Sequence, residues 1–206
     1  MHFTGPLRKM TTQYGSTIRY SLPLGIDLLM MNGLIGKPLR MTFTGTYKCF
    51  CCGQLVPELY RQNFCRECFF TKPEASLTIM KPELSKAHLG IAERDLEFEQ
   101  RLQLQPHLVY LAKTDRIKVG VTRKTQMPYR WMDQGADEAT VILEVPNRYL
   151  AGVAEVALKD HFTDKTSWQA MLKGATTEES LEEAFVMAQA SLPEELPQYR
   201  TQQPEI

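Results

Sequence analysis

Alternation of hydrophobic and polar residues predicts short strands in the first quarter of the chain. Residues 17–22 and 39–44 alternate apolar with polar or β-branched side chains, and glycine and proline residues separate the two stretches. The second stretch runs directly into Tyr47 and the cysteine-rich segment after it. We therefore expect the cysteine-rich segment to be continuous with this sheet.

The pattern of the second half predicts an α+β domain. Residues 107–112 and 117–122 are apolar runs joined by a polar turn, which predicts a hairpin, and residues 139–145 predict a third strand. Helices are predicted around residues 128–134, from 148 to about 160 behind an Asn147 cap, around Trp168, and up to Ser191 behind a Thr176–Glu179 capping box.

The stretch between the two halves has a weaker pattern. Pro73 and Pro82 interrupt it early, and residues 92–104 predict a short charged helix. The chain is thus predicted to have four segments: a β-rich module at 1–72, a connector at 73–105, an α+β domain at 106–192 and a proline-broken tail at 193–206.

Charge is balanced overall but unevenly distributed. The 24 basic and 24 acidic residues cancel, yet residues 1–48 and 107–131 are rich in Lys and Arg while the chain after 175 is acidic. Each basic stretch fits either a phosphate-binding surface or a solvated face. No apolar run is long enough to span a bilayer and no signal peptide is visible, so we expect a cytoplasmic protein.

All five cysteines lie between positions 49 and 68, in two C-x-x-C pairs plus one extra residue. A tight turn within each pair turns both sulfurs to one side of the backbone, and Gly53 suits the first turn. Four thiolates complete a closed tetrahedron, so the pattern predicts a structural zinc ion. The alternative is a set of buried reduced thiols without metal. The predicted ligands are Cys49, Cys52, Cys65 and Cys68, and Cys51 is expected to point away and pack.

The hairpin of the second half resembles that of the GIY-YIG nuclease domain. Val109-Tyr110-Leu111 stands where that family has its first triplet, and Lys118-Val119-Gly120 stands where it has the second. Arg130 matches the family's helix arginine, and Glu155 matches its metal-binding glutamate on a later helix. The resemblance therefore implies a GIY-YIG-like β-β-α-β-α fold.

In such nucleases the tyrosines and the arginine position water and the scissile phosphate, and the carboxylate holds a divalent cation. This chain departs from that pattern, because Lys118 replaces the tyrosine of the second triplet and Gln134 occupies the region of the expected histidine. The resemblance implies Tyr110, Arg130 and Glu155 as catalytic residues with Mg²⁺ or Mn²⁺, if the domain is an enzyme. The departures favour a degenerate domain without catalysis.

Three of these residues also have purely structural interpretations. Arg130 either grips a phosphate or pairs with Asp133 or Glu155. Trp131 either stacks on a ligand or belongs to the core, and Glu155 is either a metal ligand or an ion-pair partner of Arg130 or Arg148.

A second resemblance covers nearly the whole chain. It is to a bacterial family of proteins of unknown function, the domain of unknown function 2797 family, and it implies a zinc ribbon joined to the second domain. The strings that resemble this family are Gly5-Pro6-Leu7-Arg8-Lys9-Met10, Cys52-Gly53, Cys65-x-x-Cys68-Phe69, 107–112, 118–123, 130–136, Asn147-Arg148 with Gly152 and Glu155, and 164–166 with Trp168.

The expected function is binding of nucleic acid, RNA or DNA, through the phosphate backbone. The first alternative is a metal-dependent phosphodiesterase that uses Tyr110, Arg130 and Glu155. The second is a module whose zinc ribbon docks a protein partner. The residues expected to contact nucleic acid are Lys118, Arg123, Lys124, Arg130 and Arg148.

Overall fold

The chain forms two compact units in a computed structural model that describes residues 2–163, 167–175 and 177–201. The units are Met1–Ser76 and Leu77–Ile206. Most of the predicted connector therefore belongs to the second unit. None of the helices described is both long and apolar enough to cross a lipid bilayer.

The first unit contains two small antiparallel sheets. One is a meander in the order β1-β2-β3, and the other is the two-stranded hairpin β4-β5 that carries the first cysteine pair. Asn32 braces the meander, since its side chain accepts from the Tyr20 amide at 2.7 Å and donates to the Ile18 carbonyl at 2.8 Å. The elements of this unit are β1 (Thr11–Gln13), β2 (Arg19–Leu24), β3 (Asp27–Met30), β4 (Tyr47–Lys48), β5 (Leu55–Val56) and α1 (Arg66–Thr71).

The strand predicted at residues 39–44 is wrong, and so is the single continuous sheet. Those residues form no strand, and the meander and the cysteine hairpin are separate sheets. Leu39, Met41 and Phe43 are 58%, 74% and 62% exposed. Alternation favours an extended backbone, but a strand also needs a hydrogen-bonded neighbour, which this segment lacks. The strand predicted at 17–22 is confirmed, shifted by two residues, as β2.

The second unit is built on a three-stranded antiparallel sheet with the strand order β7-β6-β8. The central strand β6 is buried along nearly its whole length because both faces of the sheet are covered. Its register with β8 shifts between Val109 and Tyr110, a bulge of the kind that re-aims side chains. The elements are α2 (Leu77–Met80), α3 (Leu96–Gln103), β6 (His107–Lys113), β7 (Ile117–Arg123), α4 (Tyr129–Met132), β8 (Glu138–Val145), α5 (Arg148–Leu158), α6 (Trp168–Leu172) and α7 (Leu181–Ala190).

The main core lies on one face of this sheet, beneath α5 and α7. Val109 and Leu111 of β6 pack there with Ala154 and Leu158 of α5, all fully buried. The predicted tail also takes part, since Leu196 is fully buried and residues 200–201 pair with β8.

The carboxylates of two glutamates, exposed Glu93 and buried Glu99, fasten the former connector into the second unit. The Glu93 carboxylate accepts from the Leu77 and Thr78 amides at 2.9 and 3.2 Å. The buried Glu99 carboxylate accepts from the amides of residues 93–95, which holds the turn before α3. A carboxylate that accepts several amides replaces the water it loses on burial.

Two of the predicted helix caps have different outcomes. The Asn147 side chain accepts from the Leu150 amide at 3.0 Å, as predicted for the start of α5. The last helix begins later than the predicted capping box, because Ser180 caps it through the Glu183 amide at 3.3 Å. Thr176 of that box lies outside the described residues.

Candidate functional site

Four cysteines of the first unit converge on one point. The sulfur atoms of Cys49, Cys52, Cys65 and Cys68 all lie within 4.8 Å of one another, and the Cys52 and Cys65 sulfurs are 3.9 Å apart. Four sulfurs about 2.3 Å from a central metal ion would be about 3.8 Å apart in a tetrahedron. The cluster therefore fits a tetrahedral metal ion. Cys51 lies outside the cluster and packs against it, half-buried.

The first cysteine pair is shaped by the turn of the β4-β5 hairpin. The Cys49 amide donates to the Gln54 carbonyl at 2.9 Å, and the Gly53 amide donates to the Cys49 carbonyl at 3.1 Å. Gly53 has φ +74°, the left-handed conformation that favours glycine. This turn brings Cys49 and Cys52 to the same side of the backbone, as their spacing predicts.

The second pair is shaped by a two-residue turn and the start of α1. Gln62 and Asn63 both have positive φ, at 51° and 65°, and the turn closes between Arg61 and Phe64. Two left-handed residues in a row are typical of a type I′ turn. Cys65 follows the turn directly and Cys68 lies in the first turn of α1.

Backbone amides around the cluster favour a thiolate. The Cys65 amide donates to the Cys49 sulfur at 3.3 Å. Burial raises the pKa of the Cys49 thiol, but hydrogen bonds from the amides of Cys65, Cys52 and Cys51 outweigh burial, so the pKa is lowered to about 6. A thiolate is the form that binds metal, so Cys49 is the ligand most readily ionised, whereas burial and the neighbouring sulfurs raise the pKa of Cys68.

Tyr110 is the centre of a second polar cluster, in the sheet of the second unit. It is fully buried on β6, directly opposite Gly120 of β7. Its hydroxyl lies over Gly120, where a Cβ atom would be only 2.6 Å from the Tyr110 oxygen. The hydroxyl donates to the Gln134 side-chain oxygen at 3.0 Å, and Trp131 packs edge-on with ring centroids 6.2 Å apart.

Arg130 and Glu155 act on this tyrosine from two helices. Burial raises the pKa of Tyr110, while Arg130 partly offsets that rise and Glu155 adds to it. Arg130 is exposed on α4, and the Glu155 side chain on α5 is only 15% exposed, with one carboxylate oxygen 3.7 Å from the Lys159 ammonium. The structure thus brings together the three residues that the GIY-YIG resemblance implied.

Two further cations interact with this cluster. Lys118 is only 5% exposed, and burial lowers its pKa, as does the charge of Arg130. Burial also lowers the pKa of Arg148, and the negative charge of Glu155 partly offsets this by stabilising the guanidinium. The Arg148 guanidinium donates to the Thr78 and Ile79 carbonyls at 3.3 and 2.7 Å.

The predicted basic face is divided by the hairpin. The β6-β7 register puts Lys118 on the face of the sheet that holds Tyr110. Arg123 lies on the other face, where it pairs with His107 across the two strands. Lys124 is exposed and its ammonium lies 2.8 Å from both carboxylate oxygens of Glu144. Of the cations predicted to bind nucleic acid, Arg130 is therefore the one that is both exposed and adjacent to Tyr110.

Sequence reasoning gave His107 no role, yet it is a distinctive buried group. It is fully buried, its Nδ1 lies 2.7 Å from the Gln105 carbonyl, and its Nε2 has no partner among the described residues. Burial lowers its pKa to about 4, with Arg148 and Arg123 adding to the effect. Its position as the first residue of an apolar strand carries no signal of this environment.

Trp131 was expected either to stack on a ligand or to belong to the core. It packs with Tyr110, Ala112 and Ala139 in a small cluster on the second face of the sheet. Its indole nitrogen is nevertheless buried without a hydrogen-bond partner in the described part of the chain. Trp131 is therefore partly core, with one donor left over beside Arg130.

Comparison with known proteins identifies the family of the chain. No curated protein and no solved structure matches it. The family described as "Protein of unknown function (DUF2797)" matches residues 36–205. Because this match covers most of the 206 residues, including both the cysteine cluster and the Tyr110 cluster, the chain belongs to the DUF2797 family.

Proposed function

We propose that this protein binds nucleic acid through its phosphates at the Tyr110 cluster, and that a zinc ion in the cysteine cluster is structural. The observation that carries the proposal is the exposed Arg130, which interacts with Tyr110 at the edge of this cluster. A guanidinium binds phosphate oxygens in a bidentate manner.

Electrostatics support an anionic ligand at this position. The pKa of Lys118 is lowered by burial and then by Arg130, and the pKa of Arg148 is lowered by burial despite support from Glu155. A cation that lowers the pKa of its neighbours repels them, and a phosphate placed among them relieves that repulsion. Glu155 offsets only part of the positive charge.

The zinc assignment rests on the donor set. Four cysteine sulfurs suit zinc and leave no open coordination position for substrate or water. Such an ion stabilises a small module with few buried apolar residues.

A salt titration tests the phosphate proposal. Binding of a fluorescein-labelled oligonucleotide should weaken steeply as salt rises, and Arg130→Gln should weaken it about tenfold and reduce the salt slope by roughly one. Arg116→Gln removes another exposed cation, from the β6-β7 turn, and serves as the control. Binding that is independent of salt, or equal loss in both variants, would contradict the proposal.

A second candidate function is metal-dependent phosphodiester cleavage, favoured by the charges of Glu155 and Arg130, which both act on the pKa of Tyr110. The GIY-YIG-like fold belongs to this proposal, supported by the order β6, β7, α4, β8, α5. Glu155 would give a carboxylate oxygen to a hard cation, with phosphate and water supplying the other oxygens. Gln134, whose side-chain oxygen accepts a hydrogen bond from the Tyr110 hydroxyl, stands where the nucleases have a histidine.

Cleavage assays with Mg²⁺ or Mn²⁺ separate the two functions. If the domain is catalytic, labelled DNA or RNA should be cut only with the metal, and Glu155→Gln should abolish cutting while binding persists. Cutting that continues unchanged in Glu155→Gln would show that another protein in the sample is responsible.

A further inference from the structure

The first unit exposes a group of aromatic rings beside the cysteine cluster. Tyr60, Phe69 and Phe70, here named the ribbon aromatic face, have ring centroids 5.0 to 5.3 Å apart. Tyr60 and Phe70 are 44% and 55% exposed, whereas Phe69 is half-buried against the cysteine core. Two exposed rings are thus fixed to a buried third.

The same segments that position the metal ligands hold these rings in place. The Tyr60 amide donates to the Phe64 carbonyl at 2.8 Å across the turn that precedes Cys65. Phe69 and Phe70 follow Cys68 directly in α1, and the Phe69 amide donates to the Cys65 carbonyl at 3.0 Å. Rings held this way lose little conformational entropy when a flat ligand stacks on them.

The positive charge of this unit favours an anionic ligand. Residues 1–76 contain nine Lys and Arg against four Asp and Glu, whereas residues 77–206 contain fifteen against twenty. Four thiolates around one divalent ion subtract only two charges, so the first unit stays positive. The Arg61 guanidinium also lies 5.7 Å from the centroid of the Tyr60 ring. Aromatic rings interleaved with cations are typical of surfaces that bind unpaired nucleic-acid bases and their phosphates.

We propose that Tyr60 and Phe70 stack on unpaired bases of single-stranded nucleic acid while cations of the first unit contact its phosphates. This inference rests on the proposed nucleic-acid binding and adds its preferred form, a strand with accessible bases. Bases inside a duplex are already stacked and cannot reach a ring on a protein surface.

Fluorescence anisotropy of the zinc-loaded full chain tests this inference, with labelled single-stranded RNA, single-stranded DNA of the same sequence, and the duplex DNA as probes. Single strands should bind more tightly than the duplex. Tyr60→Ala and Phe70→Ala should each weaken single-strand binding roughly 5- to 100-fold, and Tyr60→Phe should retain it. Tyr14→Ala, which removes a 66% exposed ring of the same unit outside this face, is the matched control.

The outcomes separate the two proposals. If no probe binds, both fail. Only this inference fails if single strands bind, Arg130→Gln weakens that binding and both ring variants bind normally. It also fails alone if the duplex binds more tightly than the single strands. Zinc content measured for each variant excludes unfolding as the cause of a loss. Independently, crosslinking of 4-thiouridine RNA to the unmutated chain should map to the peptide that contains Tyr60 or Phe70, and crosslinks found elsewhere alone would overturn the inference.

Discussion

Tyr110 depends on the missing side chain at Gly120. The two residues are paired across β6 and β7, and the tyrosine hydroxyl occupies the space that a Cβ atom would need. Gly120 has an ordinary extended backbone, so its φ does not require glycine. Glycine is needed at this position because the Tyr110 ring approaches the backbone closely. The hydroxyl reaches Gln134 because this space is open.

Gly120→Ala should therefore displace the Tyr110 ring and break its hydrogen bond to Gln134. The new Cβ would lie 2.6 Å from the hydroxyl oxygen and 2.7 Å from Cζ of a fully buried ring. We expect a loss of about 1–3 kcal/mol in the free energy of unfolding. Thermal unfolding followed by circular dichroism measures it. Gly33→Ala, which has nothing within 4 Å of the new Cβ, is the control, and equal stability of both variants would contradict this packing.

His107 should make the second unit sensitive to acid. Its pKa is lowered to about 4 by burial, by Arg148 and by Arg123, against about 6.5 for an exposed histidine. Between these values the unfolded chain binds the proton and the folded chain does not, so stability is complete above pH 6.5 and falls as the pH drops toward 4. The loss approaches about 3 kcal/mol.

Urea unfolding at several pH values checks this expectation. Both tryptophans, Trp131 and Trp168, lie in the second unit, so their fluorescence reports on that unit and not on the cysteine cluster. His107→Gln should flatten the dependence on pH between 6.5 and 4. A dependence that is unchanged in this variant would assign the effect to other groups.

Among the elements, α5 is the one that joins the sheet to the former connector. Its N-terminal residue Arg148 donates to the carbonyls of Thr78 and Ile79, and Tyr149 stacks on His88 with centroids 4.5 Å apart. The short 3-10 turn Pro82–Leu84 lies directly against the helix at Gly152. The helix is therefore covered by the sheet on one side and by this segment on the other.

Gly152→Ala should destabilise the second unit although alanine favours helices. Propensity alone would stabilise the variant by about 1 kcal/mol. The new Cβ, however, would collide with the Glu83 amide nitrogen and lie 2.6 Å from the Pro82 carbonyl carbon, and backbone cannot rotate away. We expect a net loss of about 1–3 kcal/mol in urea unfolding followed by tryptophan fluorescence. A variant more stable than the unmutated chain would show that this contact is loose.

The whole molecule consists of two units that rely on different sources of stability. The second unit has a large apolar core between its sheet, α5 and α7. In the first unit the buried apolar cluster is small and consists mainly of the cysteines with Phe64 and Ala75. A module with so little buried apolar surface is one that a metal ion in the cysteine cluster would stabilise.

Chelation should therefore unfold the first unit while the second stays folded. Hydrogen exchange should rise in residues around the cysteine cluster, and tryptophan fluorescence should stay constant. Cys52→Ser should reproduce the effect without chelator, whereas Cys51→Ser, which changes a cysteine outside the cluster, should bind zinc normally. A first unit that remains protected after complete chelation would contradict a structural role for the metal.

Local sequence patterns predicted the structure correctly where the contacts join residues that are close in sequence. The spacing of the cysteine pairs predicted which four converge, and the apolar runs around the turn at 113–116 predicted the β6-β7 hairpin. Asn147 was predicted as a cap because a cap bonds only to the next turn. The strand predicted at 39–44 failed because a strand also requires a distant partner.

The sequence by itself determined which four cysteines cluster, the α+β pattern of the second half and membership of the family, since each depends on residue type and short spacing. Only the tertiary structure decided what the charged residues do. Lys118 and Arg123 fall on opposite faces of the hairpin, and Arg148 binds carbonyls about 70 positions earlier in the chain. The odd spacing of Lys118 and Arg123 already puts them on opposite faces of a strand, but the pairing register that seats Lys118 on the face of Tyr110 and the contacts between distant segments are not encoded in local spacing.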